Sequence, residues 1–246
     1  MVRACVAILL AVFLLQAQAQ DYEREKRWSD EVVPGLVVGD AVWIDGPEGR
    51  KFLGLLAETA QARAALLVVH GIGVHPDHGV IGTLRSILAD AGYTTLSIQM
   101  PVLNSDAAPR EYEPLLQNAA ARIHAAADWL RAKGEGPLVL VSHSLGSAMS
   151  RAYFEGTPGA PFAAWVCMGL SGPFGSMRNV KVPVLDVYGE NDLPSVLRSD
   201  WRRRITVDSL PGSRQVKIAH ADHFYAGREK ELMASIDGFL RTQVLK

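Results

Sequence analysis

Little in this sequence is in excess, and each shortage excludes something. The charges nearly cancel: 25 Lys and Arg stand against 26 Asp and Glu, for a formal net charge of −1. That balance argues against nucleic acid and against anionic membrane surfaces as partners. Cysteine occurs only at Cys5 and Cys167. No apolar run approaches the about 20 residues needed to span a bilayer. Repeats and low-complexity tracts are missing too, which excludes a solenoid. What remains is a chain of 246 residues, 48% apolar, long enough for one large α/β domain.

The longest apolar run, Ala4 to Leu15, follows a single positive charge at Arg3 and precedes Ala17-Gln18-Ala19. Positive start, short apolar stretch and small-x-small site are the parts of a signal peptide over residues 1–19. An uncleaved membrane anchor is the competing reading, and the run is too short for it. Cleavage after Ala19 removes Arg3, taking the charge from −1 to −2, and removes Cys5 as well. Only Cys167 is then left, in the apolar run Ala163 to Met168, so no internal disulfide can form although an export route leads to an oxidising compartment. The expected product is periplasmic or secreted and has no stable membrane insertion. Residues 20–34 are charged and are expected to be a mobile leader. Residues 35–246 show no linker-like break and are expected to form one domain.

Leu36 to Ile44 and Lys51 to Glu58, separated by the turn-rich Asp45-Gly46-Pro47-Glu48-Gly49, read as an antiparallel opening to a sheet. Strands follow at Ala64 to His70, Thr94 to Gln99, Leu138 to Val141, Ala163 to Met168, Val182 to Tyr188 and Gln215 to His220. Helical spacing recurs between them: Ile81, Leu84 and Leu88; Leu116, Ala119, Ile123, Ala127 and Leu130; Leu232, Ile236 and Phe239. Strands alternating with helices specify an α/β fold with a mostly parallel sheet flanked by helices on both faces.

In such sheets ligands sit outside the carboxyl ends of the strands. Three residues fall there in a telling order. Leu138-Val139-Leu140-Val141 breaks into Ser142-His143-Ser144-Leu145-Gly146 and then a helical stretch, a strand–serine–helix turn of the nucleophile-elbow type. Asp192 follows the strand through Tyr188, and His223 follows the last strand. Serine, acid, histidine in this order is the arrangement of the α/β-hydrolases. Serine needs a base to take its proton, imidazole suits that near neutral pH, and a carboxylate fixes the imidazole tautomer. Asp192 is preferred over Asp186, which lies inside a strand, and over Glu190. His223 is preferred over His220. His143 is expected to face away from the nucleophile. Oxyanion donors are assigned to the backbone N–H of Leu145 and of Ile72, with Gly73 as the alternative to Ile72, in a site-shaping loop that includes His70, Gly71 and Gly73. His70, His75, Asp77 and His78 fit no zinc spacing, so neither a metal nor a cofactor is expected. Asp200-Trp201-Arg202-Arg203-Arg204 reads as a solvated helix face.

These stretches resemble the α/β-hydrolase superfamily, and within it a family of secreted bacterial proteins known as domain of unknown function 3530. The resemblance is carried by His70-Gly71-Ile72-Gly73-Val74-His75-Pro76-Asp77, Leu96 to Pro101, Ser142-His143-Ser144-Leu145-Gly146, Pro183 to Gly189 and Ala221-Asp222-His223-Phe224. His78 stands where the family usually has Trp, and Ser142 where glycine is more usual. The resemblance implies an α/β-hydrolase fold and a serine hydrolase, but no particular substrate. It also implies no sizeable cap domain, because Gly169 to Lys181 is too short for a helical lid. The leading expectation is an esterase acting on a small acyl compound. A peptidase or amidase with the same triad is one alternative, and a non-catalytic binding module is the other. The sequence is silent on oligomeric state. A dehalogenase is disfavoured, since that chemistry needs a carboxylate where Ser144 stands. The rim of the site is expected from the charged, proline-punctuated Pro101 to Pro114.

Overall fold

The computed structural model describes residues 20–134 and 136–245. The expected signal peptide, including Cys5, lies outside the described residues.

Eight strands form one sheet: β1 (Asp40–Asp45), β2 (Lys51–Ala57), β3 (Ala65–Val69), β4 (Thr94–Ile98), β5 (Leu138–His143), β6 (Ala164–Met168), β7 (Val184–Gly189) and β8 (Arg214–Ile218). Their spatial order is β1-β2-β4-β3-β5-β6-β7-β8. The β1–β2 hairpin is antiparallel and β2 joins β4 antiparallel, so the expected opening is present. Every pairing from β4 to β8 is parallel. Parallel strands covered on both faces need apolar residues on both, and β3, Ala65-Leu66-Leu67-Val68-Val69, is buried throughout.

Alternation along β3 sends Leu67 and Val69 to one face and Leu66 and Val68 to the other. The first face is covered by α3 (Leu116–Lys133), α4 (Leu145–Gly156) and, through Val207, α6 (Asp200–Asp208), which follows the one-turn α5 (Pro194–Leu197). The second is covered by α2 (Val80–Asp90) and α7 (Glu229–Gln243). Burying Leu84, Leu88, Leu232 and Ile236 completely contributes roughly 1.5–3 kcal/mol each to this second layer. Between β6 and β7, residues 169–183 contain neither helix nor strand, so no cap is inserted there. Among the described residues, no helix is long and apolar enough to cross a membrane.

Two expectations about the fold outside the site need correction. Residues 20–34 are not a mobile leader: Tyr22–Val32 is a helix, α1, docked on the body of the protein. The Asp21 side chain accepts from the Arg24 N–H at 2.8 Å and caps the helix, and Glu23 and Glu25 suit its first turn. Glu25 then pairs with buried Arg122 at 2.9 Å, and Asp21 N–H donates to the Val102 carbonyl. The charges that read as solvated are spent on partners far along the chain. Likewise 200–204 is not a wholly solvated face. Arg203 is fully buried and donates through Nε to Asp186 Oδ2 at 2.9 Å.

Candidate active site

Between β5 and α4 the chain turns on one residue, Ser144, whose backbone lies at φ 56°, ψ −122°. This left-handed, strained conformation turns the strand directly into the helix and lifts the hydroxyl off the end of the sheet. The turn brings α4 hard against β3. A Cβ on Gly146 would lie 2.4 Å from the His70 carbonyl oxygen and 2.8 Å from that of Val69, so only glycine fits. Ser142 explains itself: its Oγ accepts from the indole N–H of buried Trp165 at 2.8 Å.

Ser144 Oγ lies 2.9 Å from His223 Nε2, and His223 Nδ1 lies 2.6 Å from Asp192 Oδ1. A carboxylate only accepts, so Nδ1 carries the proton and Nε2 presents its lone pair to the serine hydroxyl. Asp192 is buried, which pushes its pKa up. Hydrogen bonds from His223 and from the backbone N–H groups of Gly189 and Leu193 outweigh this and hold the carboxyl below its usual range. It therefore stays ionised beside the imidazole.

The competing residues are engaged elsewhere. Asp186 is held by Arg203 and by Gln215 Nε2 at 2.8 Å. Glu190 accepts from the backbone N–H of His220 at 2.9 Å, and both side chains are exposed. Sequence reasoning missed Gly169 altogether. At φ 58° it lies against the His223 ring, where a Cβ would come within 2.9 Å of Cε1.

His143 does not face away from the nucleophile. Val139 and Val141 point to the second sheet face, and the period of two carries His143 to that side as well. Its Nε2–H donates to the His223 carbonyl at 2.8 Å, and the two rings lie 4.8 Å apart. Burial pushes its pKa down to about 4, so it is neutral and a fixed donor at neutral pH.

The site-shaping loop lies beside the serine. A Cβ on Gly71 would sit 3.1 Å from Ser144 Cβ. His70 is fully buried, and burial pushes its pKa down to about 3. Its Nε2 accepts from the Met100 N–H at 2.9 Å, so Nδ1 holds the proton and donates to the Gly71 carbonyl at 2.8 Å. In a trans peptide the N–H points opposite to the carbonyl. Fixing the Gly71 carbonyl toward His70 therefore turns the Ile72 N–H the other way. Among the described residues, neither the Ile72 nor the Leu145 N–H has a protein acceptor. Leu145 is also the first residue of α4, where backbone N–H groups are left open. Asp77 pairs with Arg85 at 2.9 Å, and His75 Nδ1 accepts from the Asp77 N–H.

A cleft of about 270 Å³ opens over Ser144 and His223, walled by Ile72, Val74, Val80, Ile81, Leu193 and Phe224, with His78 also in its lining. Pro101 to Pro114 does not form its rim. Val102, Leu103 and Tyr112 of that segment are buried, and the segment packs beneath α1. A nucleophile backed by a base, two open N–H donors and an apolar cleft can together run acyl transfer.

Residues 23–119 match the family described as "Protein of unknown function (DUF3530)". No curated protein matches the chain. Among solved structures, Est1E from Butyrivibrio proteoclasticus with bound ferulic acid is 14% identical, with TM-score 0.67, and covers 84% of this chain and 100% of its own. Dienelactone hydrolase from Anabaena variabilis is 22% identical, with TM-score 0.65, over 82% of this chain and 96% of its own. A serine hydrolase without lid from Xanthomonas campestris is 16% identical, with TM-score 0.60, over 84% and 95%. At these identities the likeness establishes the α/β-hydrolase fold, in the lidless form that residues 169–183 already show.

Proposed function

We propose that this α/β-hydrolase-fold chain is an exported serine hydrolase that cleaves esters or related acyl compounds through an acyl-enzyme on Ser144. The observation that carries the reading is the unbroken hydrogen-bonded run Ser144–His223–Asp192, which opens through Ser144 and His223 into an apolar cleft. Ser144 Oγ attacks the acyl carbonyl while His223 Nε2 takes its proton, and Asp192 steadies the imidazolium. The carbonyl oxygen, now negative, receives the N–H groups of Leu145 and Ile72. Collapse expels the alcohol, which leaves with the proton from Nε2. Water then repeats the sequence on the acyl-enzyme and frees the acid and Ser144.

A panel of p-nitrophenyl esters and aminoacyl amides tests the reading, together with a fluorophosphonate probe. Ester turnover with modification of one serine is expected. No turnover on any ester, with Ser144 unlabelled, would return the chain to the class of binding modules. The acyl-chain profile is a further expectation. The cleft is small and lidless, so added methylenes beyond its walls bury little surface, whereas a true acyl tunnel gains about 0.8 kcal/mol for each. Acetate and butyrate esters should turn over faster than palmitate, with no jump at a lipid–water interface. A steady climb from acetate to palmitate would reveal a tunnel. Export predicts a mature chain beginning at Gln20, which the intact mass of protein recovered from its native host would show.

A further inference from the structure

The helix that replaces the expected leader reaches the loop proposed to receive the oxyanion: Trp28 packs against the His75 ring at 5.8 Å, and Arg24 bonds to the loop backbone. Arg24 Nη2 donates to the Gly73 carbonyl at 2.9 Å and Nη1 to the Leu103 carbonyl at 2.7 Å. The guanidinium also lies 4.5 Å from the centroid of Trp28, one turn further along α1. Leu103 is itself anchored, its N–H donating to Tyr112 Oη at 3.1 Å. Gly73 is at φ 63°, with both guanidinium nitrogens and Tyr112 Oη beside it. The planar fork is thus held by two carbonyls and a ring, a geometry that lysine cannot reproduce.

Ile72 sits between two carbonyls that are each tied down: Gly71 O by His70, from the sheet side, and Gly73 O by Arg24, from α1. His70 fixes directly the Gly71–Ile72 peptide, which carries the Ile72 N–H, and Arg24 fixes the Gly73–Val74 peptide. The chain is pinned on both sides of Ile72, whose N–H has no protein acceptor among the described residues. We infer that Arg24 is a positioning residue for the Ile72 N–H, so that the N-terminal helix is a working part of the active site. This rests on the serine hydrolase reading above. Arg24 touches no reacting atom. It sets where an oxyanion donor stands, and displacements well under a hydrogen-bond length matter there because the donor must meet the oxyanion, not the ground-state carbonyl.

The test compares Arg24→Leu, Arg24→Lys and Glu25→Gln in the full chain, on an acetate ester and with a trifluoromethyl ketone that binds serine as a tetrahedral oxyanion. Glu25→Gln weakens another tie of α1, to Arg122, without touching Gly73. In Arg24→Leu, kcat should fall about 10- to 100-fold, short of the roughly 10²–10³ lost when a donor is removed outright. KM should stay within about twofold, since the substrate carbonyl is bound before charge develops. Affinity for the trifluoromethyl ketone should fall in step with kcat. Arg24→Lys, which can reach one carbonyl, should lie between, and serves if the leucine variant does not fold. Glu25→Gln should keep its kcat even if it melts earlier. An unchanged kcat in both Arg24 variants overturns the inference, and so does an equal loss in Glu25→Gln, which would make α1 a general brace. A change confined to KM also overturns it. If the wild type neither turns over esters nor labels at Ser144, the hydrolase reading falls, and this inference with it.

Discussion

Ser144→Ala and His223→Ala will each lower kcat by roughly 10⁶-fold, and the double variant will lose no more than either alone. In the proposed mechanism nucleophile and base act as one unit across the 2.9 Å contact, so removing one member leaves the other idle. Asp192→Asn will cost less, about 10⁴-fold. The amide cannot stabilise an imidazolium by charge. In either orientation its NH₂ also faces a backbone N–H, from Gly189 or from Leu193, where the carboxylate had accepted both. The discriminating control is Asp186→Asn, which should leave kcat close to wild type because that carboxylate serves Arg203. The assignments fail if fluorophosphonate labelling survives Ser144→Ala. They fail also if Asp186→Asn or His220→Ala proves more damaging than its partner in the pair.

Arg203→Ala should lower the unfolding free energy by about 3–5 kcal/mol, the loss expected when one member of a buried ion pair is removed and the other charge is stranded. Both side chains are at 0% exposure. Burial pushes the Asp186 pKa up, and Arg203 is the main group opposing it, so deleting the guanidinium leaves burial opposed only by the Gln215 hydrogen bond. Arg203 also donates through Nη1 to the carbonyls of Leu170 at 2.9 Å and Val196 at 3.0 Å. One residue thereby joins the loop after β6, which carries Gly169, to the turn after Asp192. Urea unfolding measures the effect, and a loss below about 1 kcal/mol would show that the pair is not a brace. Arg203→Met combined with Asp186→Leu should recover much of the loss, since no buried charge is then unpaired.

How much of this was legible depends on the range of the interactions. Apolar runs such as Leu138 to Val141 announce buried parallel strands, and residues just past their ends are where chemistry collects. Ser144, Asp192 and His223, which the structure brings into one hydrogen-bonded run, could therefore be singled out from position alone. His143 was misread although the signal was present. Counting by twos from Val139 and Val141 places it on the side where the His223 loop packs. The role of α1 was not legible, because its charges look solvated until Leu103, Gly73 and Arg122 are seen to meet them, 79, 49 and 97 residues away. Arg203 was hidden the same way, its apolar-face position betrayed only by Val207 four residues on. Gly169 carries no local mark at all: its need for hydrogen in place of a side chain comes from a ring more than fifty positions later in the chain.

The backbone of Ser144 has a consequence for how this sequence can change. A side chain held in the left-handed region costs on the order of 1–3 kcal/mol, and glycine escapes most of that strain. Selection for thermal survival alone would therefore favour drift from serine to glycine at this position and erase the hydroxyl as it did so. Retaining serine there sets heat tolerance against reactivity at a single codon. A variant hardened by unguided rounds of heating should be sequenced at this residue, because a change that relieves backbone strain there also removes the proposed nucleophile.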